Sequence, residues 1–366
     1  MNIPAIRIIS NRLASTQLQT PHEVVAWMGA VQAQNCGMSK WAVGVRLKNS
    51  TLTDIDAALA EGEILRTHVM RPTWHLVAAE DIRWMCELSK KSIKAATAHR
   101  DRQLEIDEKL YTKVNHLLET MLRDNNHLTR IEISSQLRAK GVATDTSRMI
   151  HFMVRAEVEG IVCSGIDRGK SQTYALIEER AKPAKKRNRD EALALLAHNY
   201  FQSHSPATLS DFAWWSGLSS ADSRQALRSI ENELTGEPVE NQTYFIHQSL
   251  NTRLKLPESV HLLPAFDEYI IAYKDRTAVI AAEYQPRAFT KNGLFFPVVL
   301  HHGKAVGVWN KSIKNNDVKF DYDWFEKDGS ITNALLEEAE NRYRILLHHG
   351  RHADDADGHD GRRSGP

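Results

Sequence analysis

Two stretches of this chain close a helical pattern at a glycine and continue as a pair of short alternating segments around a polar turn, and a third stretch repeats the scheme with one strand. Few folds accept that order. In the first stretch the spacing predicts helices over residues 5–18 and 21–32, the second with Thr20 as N-cap and Pro21 at its first position. A helix over 53–59 then stops at Gly62, strands follow at 64–67 and 73–77, and a longer helix runs over 79–95. The second stretch predicts helices over 108–123, from 128 onward, and from an Asp145 or Thr146 cap to 159, where Gly160 ends the run. Segments 161–164 and 172–177 then flank the basic turn at 165–170. The third stretch predicts helices over 190–202, up to 215 and up to 234, then a strand over 243–247. Helices followed by a small hairpin are the pattern of a winged helix.

The remaining chain has a different texture. Strand-like segments at 260–263, 277–281, 293–300 and 304–309 predict a small antiparallel sheet, closed by a helix over 331–347. Residues 350–366 are mostly Gly, Asp, His and Arg without large apolar residues, which predicts disorder. The expected fold is therefore α+β: about three tandem winged-helix units at 1–97, 98–180 and 189–254, a C-terminal antiparallel β domain at 255–349, and a tail at 350–366. The basic linker around 180–190 marks one boundary.

Charge narrows the partner. The net formal charge is only +1, but residues 86–190 carry 21 Lys and Arg against 15 Asp and Glu, while 191–366 carry 18 against 24. A basic middle segment suits phosphates even in a balanced chain. In the second unit, Arg148, His151 and Arg155 on the last helix and Arg168 and Lys170 on the turn are the candidate DNA contacts, as phosphate ligands more than base readers. Arg287 and Lys291 lie in a polar segment that reads either as a DNA-probing turn or as a solvated loop.

Three scattered cysteines offer neither a disulfide frame nor a metal knuckle, and predict a reducing, cytoplasmic setting. The N-terminus lacks the apolar core of a secretory signal, and the longest apolar runs are too short to cross a bilayer. His301-His302 has no third ligand at metal spacing, so no metal and no cofactor are expected. No dimerisation coiled coil is evident, which predicts a monomer.

Chemistry could sit at Gln32-Ala33-Gln34-Asn35, where amides two residues apart do not share a helix face and so belong at a helix end, as a cap or as a site. Asp267-Glu268 is the other polar pair, either a turn cap or a general base. Trp214-Trp215 reads as core.

Gln32-Ala33-Gln34, the segment 40–46, the segment 66–77 (RTHVMRPTWHLV), the segment 261–269 (HLLPAFDEY) and the segment 303–309 (GKAVGVW) together resemble the AlkZ-like bacterial DNA glycosylases, over residues 4–349. The resemblance implies tandem winged helices, excision of alkylated purines from double-stranded DNA, in some members release of interstrand cross-links, and a catalytic Gln-apolar-Gln motif at Gln32 and Gln34. Asn35, His68, Arg71, Thr73 and His75 are then candidate cleft residues, with Gln34 positioning water and Gln32 holding water or the lesion sugar. Arg71-Pro72-Thr73 departs from an Arg-Gly-Thr form, and Pro stiffens that turn. Carboxamides cannot act as acids or bases, so such a site suits a cationic purine that leaves without protonation. The competing reading is a non-catalytic winged-helix regulator or repair accessory.

Overall fold

In the computed structural model, residues 1–14, 16–49, 51–314, 317–326 and 329–348 are described; the expected tail at 350–366 lies outside them. The first stretch forms α1 (Ile3–Ser10), α2 (Pro21–Met28), β1 (Val31–Gln32), α3 (Cys36–Gly44), α4 (Leu52–Glu61), β2 (Ile64–Val69), β3 (Thr73–Ala78) and α5 (Ile82–Gln103). Its sheet runs β1-β3-β2. Thr20 caps α2 in a reciprocal pair with Glu23, as the sequence predicts. The helix expected over 21–32 ends earlier, however, because Gly29 takes φ +73°, and the chain re-enters as a strand with Gln32 opposite His75. The helix expected over 5–18 is likewise cut to α1, since Arg12 has φ +56°. Helix α3 has no clear amphipathic period and was not expected; Asn35 starts it by accepting from the Met38 N–H at 3.0 Å.

The second stretch gives α6 (Glu108–Leu122), β4 (Leu128–Thr129), α7 (Arg130–Ala139), α8 (Thr146–Val158), β5 (Val162–Ser164), β6 (Thr173–Leu176) and α9 (Ile177–Arg180), with sheet order β4-β6-β5. The third gives α10 (Arg189–His204), α11 (Leu209–Ser216), α12 (Ser220–Ser229) and the hairpin β7 (Leu234–Val239) and β8 (Gln242–His247). Last come β9 (Val260–Leu263), α13 (Glu268–Ile271), α14 (Gln285–Ala288), β10 (Val298–His301), β11 (Lys304–Lys314), β12 (Asp317–Trp324) and α15 (Asn333–His348). This antiparallel sheet runs β12-β11-β10-β9. Residues 277–281, expected as a strand, form turns instead, and the polar, alternating β12 was missed.

The hydrophobic cores do not follow chain order. One joins Ile8, Val24, Val43 and Leu76 to Leu262, Val299, Trp309 and Tyr343 of the C-terminal sheet and helix. A second joins Leu65, Val77 and Met85 to Leu193, Tyr200, Phe212 and Tyr273. A third, with Val114, Leu118, Phe152 and Val162, lies within the second stretch. Strand alternation explains the split: neighbours Leu76 and Val77 on β3 point to opposite faces and feed different cores. Arg46 and Asp267, both wholly buried, lock the first stretch to the last by two 2.8 Å hydrogen bonds.

Candidate functional site

Gly29 decides where the glutamines go. Ending α2 there lets 31–32 join the sheet edge, so Gln32 is a strand residue and Gln34 lies just before the Asn35 cap of α3. Asn35 itself is spent on capping. Gln32 is 8% exposed and Gln34 is open to solvent. The Ala33 N–H donates to the Trp74 carbonyl at 2.7 Å, and the Arg66 Nε–H donates to the Ala33 carbonyl at 3.1 Å, which fixes the linker between the two amides.

On Gln32's side the sheet meets a carboxylate from the far end of the sequence. The Gln32 N–H donates to Glu268 Oε1 at 2.7 Å, and Trp215 Nε1–H donates to Glu268 Oε2 at 2.9 Å. Burial pushes the Glu268 carboxyl upward, but the His204 imidazole 3.7 Å away, the nearby His75 and the Gln32 N–H together hold it below the usual range. Arg71 Nη2–H donates to Gln32 Oε1 at 3.2 Å, and burial lowers its affinity for its proton. His75, opposite Gln32 in the register, is fully buried and pushed down to about 4 by desolvation. Thr73 shares its face. The Arg71 turn can approach α11 closely because Gly217 has no side chain: a Cβ there would stand 2.7 Å from the Met70 carbonyl oxygen. That brings the Trp214 ring to 5.6 Å from the Arg71 guanidinium. Trp215 is core as expected, whereas Trp214 is 41% exposed.

On the other side, Gln34 opens on a cleft of about 340 Å³ between the first and second stretches, lined also by His68, Pro72, Trp74, Arg130 and His151. The Trp74 N–H donates to Gln34 Oε1 at 3.5 Å. His68 packs on Trp74 at 4.1 Å and pairs through Nδ1 with buried Glu157. His151 pairs through Nδ1 with Asp101 at 2.5 Å. The expectation that His68, Arg71, Thr73 and His75 line one cleft is therefore corrected: β-strand alternation sends His68 to the Gln34 side and Thr73 and His75 to the Gln32 side.

The basic residues fare unevenly. Arg155 is 5% exposed, bonded to Glu108 at 2.5 Å and Glu159 at 3.1 Å, and lies 4.0 Å from the Tyr111 ring. Arg148 faces Glu105 and Asp145, each at 3.6 Å. Helix α8 is buried from Phe152 to Val158, so it does not present Arg155 to a groove; acidic partners on α6 and at its own end draw that side chain inward. On the turn, Arg168 pairs with Glu132 while Lys170 is exposed. Arg287 is held by Asp323 at 2.6 Å and the Trp324 carbonyl at 2.8 Å, which removes it from a free DNA-probing set. Lys291 is exposed in a tight turn beside Leu294, itself 54% exposed.

Asp267 caps α13 by accepting from the Tyr269 N–H at 2.9 Å and pairs with Arg46, which is a structural role. The Glu268 contact to Gln32 spans 236 positions, so no local sequence signal marks it. Among the described residues, two groups have donor sets suited to a metal, His198 with Glu233 and His247, and Glu258 with His301 and His302. Glu258 supplies the third side chain that sequence spacing did not show. In both groups the imidazoles already hydrogen-bond the carboxylate.

No helix among the described residues is long and apolar enough to cross a membrane. A DNA glycosylase of Streptomyces sahachiroi, AlkZ, has a similar structure, with a TM-score of 0.77 and 21% identity, covering 94% of this chain and 95% of that one. By sequence, the chain is 26% identical over 309 residues to a protein of the same organism named "Interstrand DNA cross-link repair glycosylase", covering 78% of this chain and 81% of that protein. The model of the "DNA glycosylase AlkZ-like" family matches residues 25–344, spanning β1, the Arg71 turn and Glu268, and the chain belongs to that family.

Proposed function

We propose that this protein is a monofunctional DNA glycosylase that hydrolyses the N-glycosidic bond of N7- or N3-alkylated purines in double-stranded DNA, including purines tied into interstrand cross-links. One observation carries the reading: the exposed Gln34 carboxamide opens on a cleft whose lining residues include no Asp or Glu. The carboxylates nearby, Glu157 and Asp101, are taken up by His68 and His151. Such a cleft offers no free carboxylic acid to protonate a neutral leaving base, which favours bases that already carry positive charge. Gln34 orients the attacking water, and Gln32, held by Arg71 and Glu268, holds the water or the lesion sugar. The relative named for cross-link repair supports extending the substrate to cross-linked purines.

In this reading the three helix-and-hairpin stretches at 1–97, 98–180 and 189–254 are winged helices, ahead of a β domain at 255–349. The acidic partners of Arg148 and Arg155 on α8 argue against a groove-reading regulator, because they occupy the basic side chains that such a helix would present. The reaction needs no cofactor, and the free thiols of Cys36, Cys86 and Cys163 suit the cytoplasm.

The test is single-turnover release of free base from a duplex containing 7-methylguanine. The wild-type protein releases it and leaves an alkali-labile abasic site, while Gln34→Ala slows release by about 100-fold or more, the scale of losing a positioned nucleophile. Undiminished release by the Gln32→Ala, Gln34→Ala double variant would sink the water-positioning role.

A further inference from the structure

Helix α7 begins with an arginine that reaches the Gln34 cleft. Arg130 is its first residue and lines that cleft with Gln34, His68 and Trp74. It also lines a second cavity, of about 210 Å³, with Ser134, Arg138 and Thr146 of the same stretch. Arg130 is therefore a wall common to the two, and no Asp or Glu lines either. Arg148, Arg155 and Arg168 each face an acid of their own chain. Arg130 has no such match. Glu132, two residues on, is spent: it accepts from the Thr129 N–H at 2.7 Å and from Oγ1–H at 2.9 Å in the reciprocal cap of α7, and it pairs with Arg168. Residues two apart on a helix do not face each other in any case. The Arg130 Nε–H is buried and has no hydrogen-bond partner among the described residues. Buried donors rarely go without an acceptor, so the cleft has a place for one alongside Gln34.

The substrate decides what that acceptor is. An alkylated purine arrives with positive charge, and an unmatched guanidinium in the same cleft would repel it. The deoxyribose that carries the purine is flanked by phosphodiesters, and the planar guanidinium fork fits phosphate oxygens with two parallel hydrogen bonds. Building on the glycosylase reading, we propose that Arg130 binds a backbone phosphate of the lesion strand next to the damaged nucleotide and so anchors that strand at the Gln34 cleft. The phosphate supplies the acceptor that the guanidinium lacks, and it cancels the charge that would oppose the purine. The second cavity, also free of acids, leaves room for the strand to continue past Arg130.

The experiment measures single-turnover release of 7-methylguanine against protein concentration, which gives a half-saturating concentration and a maximal rate for each protein and duplex. Arg130→Ala is expected to raise the half-saturating concentration about tenfold and to leave the maximal rate within about threefold. It should also lower the slope of log affinity against log salt by about one. Duplexes carrying a single neutral methylphosphonate, placed in turn within about three positions of the lesion, then locate the phosphate. At one position the wild type should lose about tenfold in half-saturation, while Arg130→Ala and Arg130→Gln lose less than about threefold, because side chain and phosphate act as a pair. Arg130→Gln keeps much of the stem and guards against misfolding of Arg130→Ala. Neither variant should lower the melting temperature by more than about 2 °C, since neither strands a protein partner of Nε. Methylphosphonate penalties that are equal in all three proteins at every position overturn the proposal, as does an unchanged salt slope or a loss confined to the maximal rate. If the wild type releases base and the coupling is absent, this inference falls while the glycosylase reading stands. A wild-type protein that releases no base overturns both.

Discussion

Gln32 and Gln34 are separated by one alanine and occupy different environments, and the difference comes from single residues around them. Gln32 has its backbone fixed by Glu268 and its carboxamide by Arg71, whereas Gln34 touches the Trp74 backbone at 3.5 Å and otherwise faces open cleft. His75 gives the residue scale a measurable signature in stability. Its folded-state value is pushed down to about 4 by burial, while in the unfolded chain it titrates near 6.5. Between those values the unfolded chain binds more protons than the folded one, so this residue's effect makes stability rise with pH over the window and fall as pH drops from about 6.5 to 4. The full effect is about 3 kcal/mol. Denaturant unfolding of the wild type and His75→Gln across pH 4–7 should show the wild type losing that much more stability on acidification; parallel curves would refute the assignment. The glutamine motif was legible in the sequence, but its setting on a strand was not, because the turn at Gly29 looked like the middle of a longer helix.

At the scale of elements, α8 shows how a sequence pattern can be right about structure and wrong about exposure. The expected helix is present, and of the two candidate caps, Asp145 and Thr146, it is Asp145 that starts it. Arg148 and Arg155 share a face, as their seven-residue spacing requires, and that face is turned toward Glu105 and Glu108. A basic stripe signals charge to be matched, and acidic residues of the same chain match it as well as phosphates do. Arg155→Ala is therefore expected to destabilise the fold by about 1–3 kcal/mol, since it removes a buried guanidinium that packs on Tyr111 and bonds Glu108 and Glu159, while leaving the salt dependence of DNA binding unchanged. Lys170→Ala is expected to leave stability within about 0.5 kcal/mol and to lower the slope of log affinity against log salt by about one. Thermal melts and DNA titrations at several salt concentrations check both, and a changed salt slope in Arg155→Ala alone would reverse the assignment.

Across the whole molecule, the β1-β3-β2 sheet sits between a core shared with the C-terminal sheet and a core shared with α10 and α11. The Arg46–Asp267 pair and the bond from Trp41 Nε1–H to the Leu262 carbonyl at 2.6 Å reinforce the first of these joints. The glutamine site thus depends on residues more than 200 positions away. Asp267→Asn should cost about 3–5 kcal/mol, the usual result of leaving one member of a buried ion pair without its partner. It should also slow base release, because Asp267 starts the short helix that carries Glu268. Urea unfolding and single-turnover assays on the same preparation would show the two effects together; an Asp267→Asn protein as stable as the wild type would mean the joint is not what holds the site.

Sequence alone determined the local grammar: the Thr20 and Asp145 caps, the stops at Gly62, Gly160 and Gly217, the paired segments around Arg71 and 165–170, and the Gln-x-Gln motif. These follow from forces acting within a few residues, such as cap hydrogen bonds, left-handed glycines and side-chain periodicity. Only the tertiary structure decided that Glu268 lies against Gln32, that His75 is buried on the same face of the sheet as Gln32, and that the Arg148 and Arg155 face is turned inward. Those contacts join residues far apart in sequence, where no period or spacing connects the partners, and packing chose among faces that the sequence left equivalent.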